Sequence, residues 1–553
     1  FGFDARIKVD ARIELNDLPF KEGKISLQGV DLKNNLAHTY KITFFGNTAN
    51  LKDILGDAQL SSLNFSGLNR DYTFANIVAD LGTPAIFDAD AVIAPFITHT
   101  DRLIYDTSNP SLAENTSNLH QNGNNGGGVA WTQFKYALRV QKIITQIQFR
   151  YPDIQFSDHF FNDTDNEKFY NLFMWLHRKS GHVEQATQVE IIYTKLEDLI
   201  NTNTVADPAL VSTGNDLFRD PASYLIQFQS PLGIVFPAGD IQIDVNYYTV
   251  NPGSPFIYYD DTYENAATVN IVPNAPFEFN IVEQIPKMKI IDFLSGLFNM
   301  FNLTAYVDNL GTIVVRTLDS YYADSTTVYN IDKYLDTTKS TVNIALPFKE
   351  INFSYKGLGT FLAKKFNQLT NSGWGSLSYT LDGNIFDTPS EAYKIELPFE
   401  HMQYERLYDA NTTLSSTVPT AIQYGYCVNE NQQSYIGEPL LFYPIVRSVY
   451  SETILNRPRI RDTQSTVVAD LDYWVIPSNS LKLSPTGIGG KINIHFQAEL
   501  NEFLANETGE QAGEFTDTLF ETEYKEYIQN VFNQRRRLVK VTAYLPMKVY
   551  YNL

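Results

Sequence analysis

The chain has 553 residues, enough for several domains of ordinary size with sizeable cores. Hydrophobic residues make up 43% and charged residues only 19%, which excludes a disordered or collagen-like polymer. With 42 Lys and Arg against 63 Asp and Glu the net charge is −21, which disfavours a protein that grips nucleic acid, because such binding depends on neutralising phosphates. A single cysteine, Cys427, excludes an intrachain disulfide and a cysteine-based zinc cluster.

The chain opens with alternation. Ile7, Val9, Ala11, Ile13 and Leu15 share one face, and Arg6, Lys8, Asp10, Arg12 and Glu14 the other, the pattern of a half-buried strand. It resumes through Ile25, Leu27 and Val30, then through Tyr40, Ile42 and Phe44, with Asn16-Asp17 and Asn34-Asn35 as turns. The Gly- and Asn-rich stretch from Gln121 to Gly128 reads as an exposed loop and a boundary. Beyond it, Phe134, Leu138, Ile144 and Ile147, and then Phe169, Leu172, Phe173 and Leu176, recur near helical spacing. Residues from Val183 to Val282 read as strands broken by Pro- and Gly-rich turns.

Pro286 is expected to open a helix whose apolar face carries Ile290, Leu294, Leu297 and Phe301, with Ile291 and Phe298 beside them. A hairpin follows, Thr304–Val307 with Thr312–Thr317, joined by Asp308-Asn309-Leu310-Gly311, residues that tolerate left-handed geometry. From Thr341 onward β-branched and aromatic residues predict mainly strands, then a helix over Thr518–Gln534 and a last strand over Leu538–Leu545. The fold class expected is α+β, predominantly β, in segments 1–120, 129–182 (helical insertion), 183–282, 286–340 (helix and hairpin) and 341–553. The chain is expected to be part of a longer one, and it has no apolar run long enough for a membrane helix.

No arrangement of residues announces catalysis. Glu499, Glu502 and Glu507 fit a solvated acidic face better than a carboxylate dyad, in a chain where acidic pairs are plentiful. His177 and His182, with Asp158 and His159 upstream, lack metal-ligand spacing because Gly181 interrupts, and read as surface histidines at a helix end. Cys427 lies in an alternating pattern as a core residue. The clusters Phe256–Asp261 and Ser320–Asp324 offer Tyr side chains that could stack on sugars or line a subunit interface. The basic triplet Arg535, Arg536 and Arg537 suits either a helix C-terminus or a clamp on acidic residues of a neighbouring subunit.

Three blocks carry a family likeness: Ile285–Leu303 with Leu318–Tyr322; Ile147–Phe161 with Leu176–Gly181; and Tyr524–Ile528 leading to Arg535–Arg537. Together they resemble the hub proteins of bacteriophage tails, and similar tail-tip proteins of phages infecting Bacteroidetes-type hosts. The resemblance implies β-barrel-like tube domains and a homo-oligomeric ring, usually a trimer. It also implies contacts with the tail tube, the tip or spike and the fibres, with DNA passing through a channel unbound. It implies a place at the distal end of the virion's tail; the residues themselves lead to the expectation of no cofactor, no metal and no catalytic residue. Receptor or glycan binding is the alternative, and a tail-associated peptidoglycan hydrolase a third.

Overall fold

The computed structural model describes residues 9–15, 18–34, 36–46, 51–82, 91–106, 117–120, 128–178, 278–308, 311–324, 328–344, 348, 350–371, 373–380, 392–407, 422–448, 457–462, 467–481, 492–497, 517–531, 536–546 and 549. It also describes the backbone of short strands at 190–195, 202–206, 224–229, 239–241, 269–271, 499–500 and 514–515. From the amino end the chain runs through β1 (Val9–Leu15), β2 (Leu18–Lys33), β3 (Leu36–Gly46), β4 (Val92–Ile93), β5 (Ala137–Arg139), α1 (Val140–Arg150) and β6 (Phe173–Trp175). It continues through α2 (Ile290–Met300), β7 (Leu303–Val307), β8 (Ile313–Thr317), β9 (Leu335–Ile344), β10 (Glu350–Gly357), β11 (Tyr393–Glu400) and β12 (Gln423–Tyr426). Last come β13 (Leu441–Ser448), β14 (Tyr473–Ser478), α3 (Lys525–Val531) and β15 (Arg537–Ala543). Strands predominate over helices, and among the described residues the ladders form open sheets of two to five strands, none closed into a barrel.

The centre is a five-stranded antiparallel sheet in the order β14-β13-β6-β5-β4. Its middle strand departs from the expected helical reading of Phe169–Leu176. Only Glu167–Tyr170 is helical; Phe173, Met174 and Trp175 form β6, and all three are buried. A run of consecutive apolar residues is what a strand covered on both faces requires, and over four residues it is indistinguishable from a helix face. Met174 faces the large apolar cluster, and Phe173 and Trp175 face a smaller one with Phe442 and Val475. Phe134 and Leu138 likewise leave the expected first helix, Leu138 for β5, and α1 begins at Val140.

The helix expected from Pro286 begins instead at Ile290. The Leu60 amide donates to the Met288 carbonyl at 2.9 Å and the Ile290 amide to the Ala58 carbonyl at 2.9 Å, so this stretch is engaged as an extended segment. Ile290, Leu294, Leu297 and Phe301 are buried, and Phe298 is partly buried against the same cluster. The hairpin β7–β8 follows, with Gly311 at φ +85° in its turn and the Asp308 carboxylate accepting from the Thr312 amide at 2.8 Å.

β1, β2 and β3 form an antiparallel sheet of their own, turned at Asn34 with φ +54°. The apolar alternation of β2 slips from Ile25 and Leu27 to Val30 and Leu32, and a bulge between Leu27 and Gly29 absorbs the slip. One face therefore stays apolar along the sheet: Val9 opposite Ile25, Leu27 opposite Ile42, Val30 opposite Tyr40, then Leu32.

Gly296 sets the approach of α2 to β11. A Cβ there would stand 2.7 Å from the Phe399 ring and 2.8 Å from Pro398. Gly to Ala in a helix ordinarily stabilises by about 0.5 to 1 kcal/mol. Here Gly296→Ala is expected to destabilise by about 1 to 3 kcal/mol through overpacking, read as a lowered urea midpoint.

Candidate functional site

The antiparallel register that pairs Ala137 with Trp175 places Lys135 beside His177, one residue beyond a Leu176 amide to Tyr136 carbonyl bond of 3.0 Å. Lys135 is fully buried and His177 nearly so. The His177 Nε2–H donates to the Tyr435 carbonyl, which leaves Nδ1 to accept from Lys135 Nζ at 3.1 Å. Burial, then the adjacent Lys135 charge, pushes His177 down to about 3. Burial also lowers Lys135 to about 7. The Trp175 ring stacks on the imidazole with centroids 4.3 Å apart.

Tyr435 carries the network onward. Its hydroxyl donates to Glu400 Oε1, which also accepts from the Gly359 amide at 3.1 Å. Glycines make room for this carboxylate: a Cβ on Gly437 would lie 1.8 Å from Oε2, and one on Gly359 would meet the Tyr435 ring at 2.8 Å. Burial raises Glu400 to about 7, against the stabilising bonds from Tyr435 and Gly359. Cys427 lines the same small cavity, with its thiol pushed up by burial and then by the Glu400 charge. A neutral buried thiol is a weak nucleophile, so these groups in these states suit fastening of β11 and the 435–440 segment onto the central sheet. A second buried group lies nearby in sequence: His401 and His495, 4.4 Å apart, with Tyr355 on His401 at 4.2 Å.

His177 is thus a buried, bonded residue and not a surface histidine at a helix end. Asp158 and His159 are exposed, with His159 Nδ1 2.9 Å from Ser157 Oγ, while His182 lies outside the described residues. So do Glu502, Glu507, Phe256–Asp261 and Arg535; of Glu499 only the backbone is described. Cys427 is buried in the core, as its alternating pattern suggests. Arg536 and Arg537 are exposed. Neither sits on the helix, since α3 ends at Val531; Arg536 donates to Asn530 Oδ1 at 2.9 Å and Arg537 opens β15.

The three family-like blocks meet in space. Phe160 packs against Phe301 at 5.4 Å and Phe161 against Phe298 at 6.0 Å. Asn302 Nδ2 donates to the Glu523 carbonyl at 2.7 Å, Lys168 bridges the Glu523 carboxylate at 2.7 Å, and the Tyr524 hydroxyl donates to the Asn299 carbonyl.

Among the described residues, two β surfaces carry exposed apolar side chains. The β1–β3 sheet leaves Val9, Leu32, Tyr40 and Ile42 more than half exposed, Leu32 at 67%. The two-stranded ribbon of β9 and β15 pairs Val342 with Val539 and Ser340 with Val541, so Val342, Val539 and Val541 share one face, exposed at 62%, 56% and 47%. Thr341, Asn343, Lys540 and Leu538, the last 52% exposed, lie on the other. Neither arm contributes a residue to the apolar clusters among the described residues. The alternation of the β1–β3 sheet is visible in the sequence; the exposure of its apolar face is not.

The buried network fixes a pH profile. Glu400 is raised, so its contribution is fully present below about 4.5 and is lost as pH rises through about 7. Lys135 is lowered, so its contribution is present above about 10.5 and is lost as pH falls through about 7. His177 is lowered too, so its contribution is present above about 6.5 and is lost as pH falls through about 3, which opposes the Glu400 change across the acid range. Glu400→Gln, which keeps an oxygen to accept from Tyr435 and Gly359, removes the Glu400 contribution alone, so the stability of the wild type relative to the variant is expected to fall by about 3 kcal/mol between pH 4.5 and 7. Urea midpoints of both proteins measured across that range check it; a difference that stays constant with pH refutes it.

No family model, curated protein or solved structure matches the chain.

Proposed function

We propose that the chain is a structural subunit of a bacteriophage tail, a hub ring protein that joins the tail tube to the distal tip and leaves a channel for the genome. The observation that carries this reading is the pair of β arms whose apolar faces nothing described covers. A two-stranded ribbon is marginal by itself in water, and an apolar face of this kind marks a surface that works when another protein lies on it. The packing of the three hub-like blocks into one aromatic core supports the family likeness, because residues far apart in sequence serve one packing purpose. The charge of −21 suits a channel along which DNA slides without sticking. The β-barrel-like tube domains, the three-fold ring and the acidic lumen belong to the same proposal.

Receptor or glycan binding is the second reading. It draws on Tyr306, Tyr321 and Tyr322, an exposed aromatic group with ring centroids 5.7 and 5.6 Å apart. Stacking on sugar faces is within reach of such a group.

Electron microscopy of the purified full chain is expected to show three-fold rings with an open centre. Six-fold rings would favour a tube or adaptor, and a monomer that binds cell-surface glycans would favour the second reading. Replacing Arg535, Arg536 and Arg537 together by Ala is expected to weaken assembly about tenfold or more, as judged from the concentration at which rings dissociate.

A further inference from the structure

Gln133 ends a single helical turn, Trp131–Gln133, and its side chain is buried. The segment it faces follows the short strand Ile97–Thr98, which pairs in parallel with β12 and is fastened there by a Cys427 amide to Thr98 carbonyl bond of 2.8 Å. Thr98 Oγ1 donates to the Asp101 carbonyl at 2.8 Å, closing a tight turn that presents Thr100 and Asp101 to Gln133. The two sides also meet through Phe96 and Phe134, edge to face at 5.3 Å. Groups 33 residues apart in sequence are thus held in contact by packed elements, which is the condition for an intramolecular reaction.

Both ends of the Gln133 carboxamide are engaged. The Thr100 hydroxyl donates to Oε1 at 2.8 Å, and the Asp101 amide donates to the same oxygen at 3.4 Å. Nε2 donates to Asp101 Oδ2 at 3.0 Å, and because a carboxylate only accepts, this contact fixes which end of the amide is nitrogen. A hydroxyl against the carbonyl, a backbone N–H on the oxygen where charge would gather and a carboxylate at the leaving nitrogen are the parts of an acyl transfer.

We propose that Thr100 and Gln133 join in an intramolecular ester with release of ammonia. Thr100 Oγ1 bonds to the side-chain carbonyl carbon of Gln133 while its proton passes to the Asp101 carboxylate. Negative charge collects on Oε1, in front of the Asp101 amide. The carbonyl re-forms as the C–N bond breaks, and Asp101 returns the proton to the departing Nε2, which leaves as ammonia. Alcohol plus amide gives ester plus ammonia, so the step balances without a co-reactant, and Asp101 ends as it began. The bond closes the intervening chain, Gln121–Gly128 included, into a covalent ring and ties the strand beside β12 to the Trp131–Gln133 turn. It goes beyond the tail reading and does not depend on it.

Intact-mass spectrometry of the denatured full chain is expected to find it lighter than its sequence by one ammonia. Trypsin is expected to release Asp71–Arg102 and Leu103–Lys135 as one species joined through Thr100 and Gln133, which mild base separates because it hydrolyses an ester and spares peptide bonds. Thr100→Val, which keeps the shape and removes the nucleophile, is expected to show the full mass and two free peptides. Thr100→Ser is expected to regain the joined species, and Asp101→Asn to leave most of the chain at full mass. A wild type of full mass with the two peptides free overturns the proposal. So does a loss of ammonia that persists in Thr100→Val, since it then arises elsewhere in the chain, and undiminished joining in Asp101→Asn overturns the proton relay. Circular dichroism matching the wild type shows that each variant is folded; where Thr100→Val does not fold, the presence or absence of the joined peptide in the wild type decides.

Discussion

Phe173, Met174 and Trp175 sit at the middle of the central sheet with apolar side chains on both of its faces, so this strand can leave the interior only by exposing two cores at once. Burying three such side chains contributes several kcal/mol, about 1.5 to 3 for each. The rest of the described architecture depends on it. β5 and β13 pair with its two edges, α1 springs from the end of β5, and the Phe160, Phe161 and Phe169 rings gather where the chain enters β6. The middle strand also fixes register, and through register it delivers Lys135 and His177 to one another.

The polar network at this sheet illustrates how a buried charge is accommodated. Each ionisable group takes the neutral or bonded form that its surroundings allow, and the glycines at 359 and 437 remove the atoms that would otherwise occupy the carboxylate's place. Such networks add specificity more than stability, since a fully satisfied set of buried polar groups accepts one arrangement and rejects others. The ribbons lie at the opposite extreme, with polar groups in water and apolar groups unserved.

The sequence and the structure agree most where periodicity is sustained. The helix of Ile290–Met300 and its hairpin were legible because eleven helical residues and two paired strands repeat their patterns often enough to be unambiguous. β6 was not, because Phe169, Leu172, Phe173 and Leu176 satisfy a helical spacing by coincidence; the contiguous run Leu172–Leu176 was the signal for a strand covered twice. The surroundings of His177 were beyond reach in another way. Its partners are 42 and 258 residues distant, and no local pattern encodes that meeting. The alternation of the β1–β3 sheet is plain, yet whether an apolar face is covered depends on what the rest of the chain leaves free.

The bulge in β2 has a meaning that side-chain placement does not exhaust. Without Gln28 the residues Ile25, Leu27 and Val30 would alternate perfectly and keep the same face, so the extra residue is not needed to hold the apolar side together. What it adds is twist. A flat, regular three-stranded sheet with two open edges is a template for indefinite edge-to-edge growth, and a twisted one is a poor template. Further irregularities between Ile13 and Glu14 and between Asp31 and Leu32 act in the same sense, so the sheet departs from flatness at three places and its edges are poor templates for recruiting further strands.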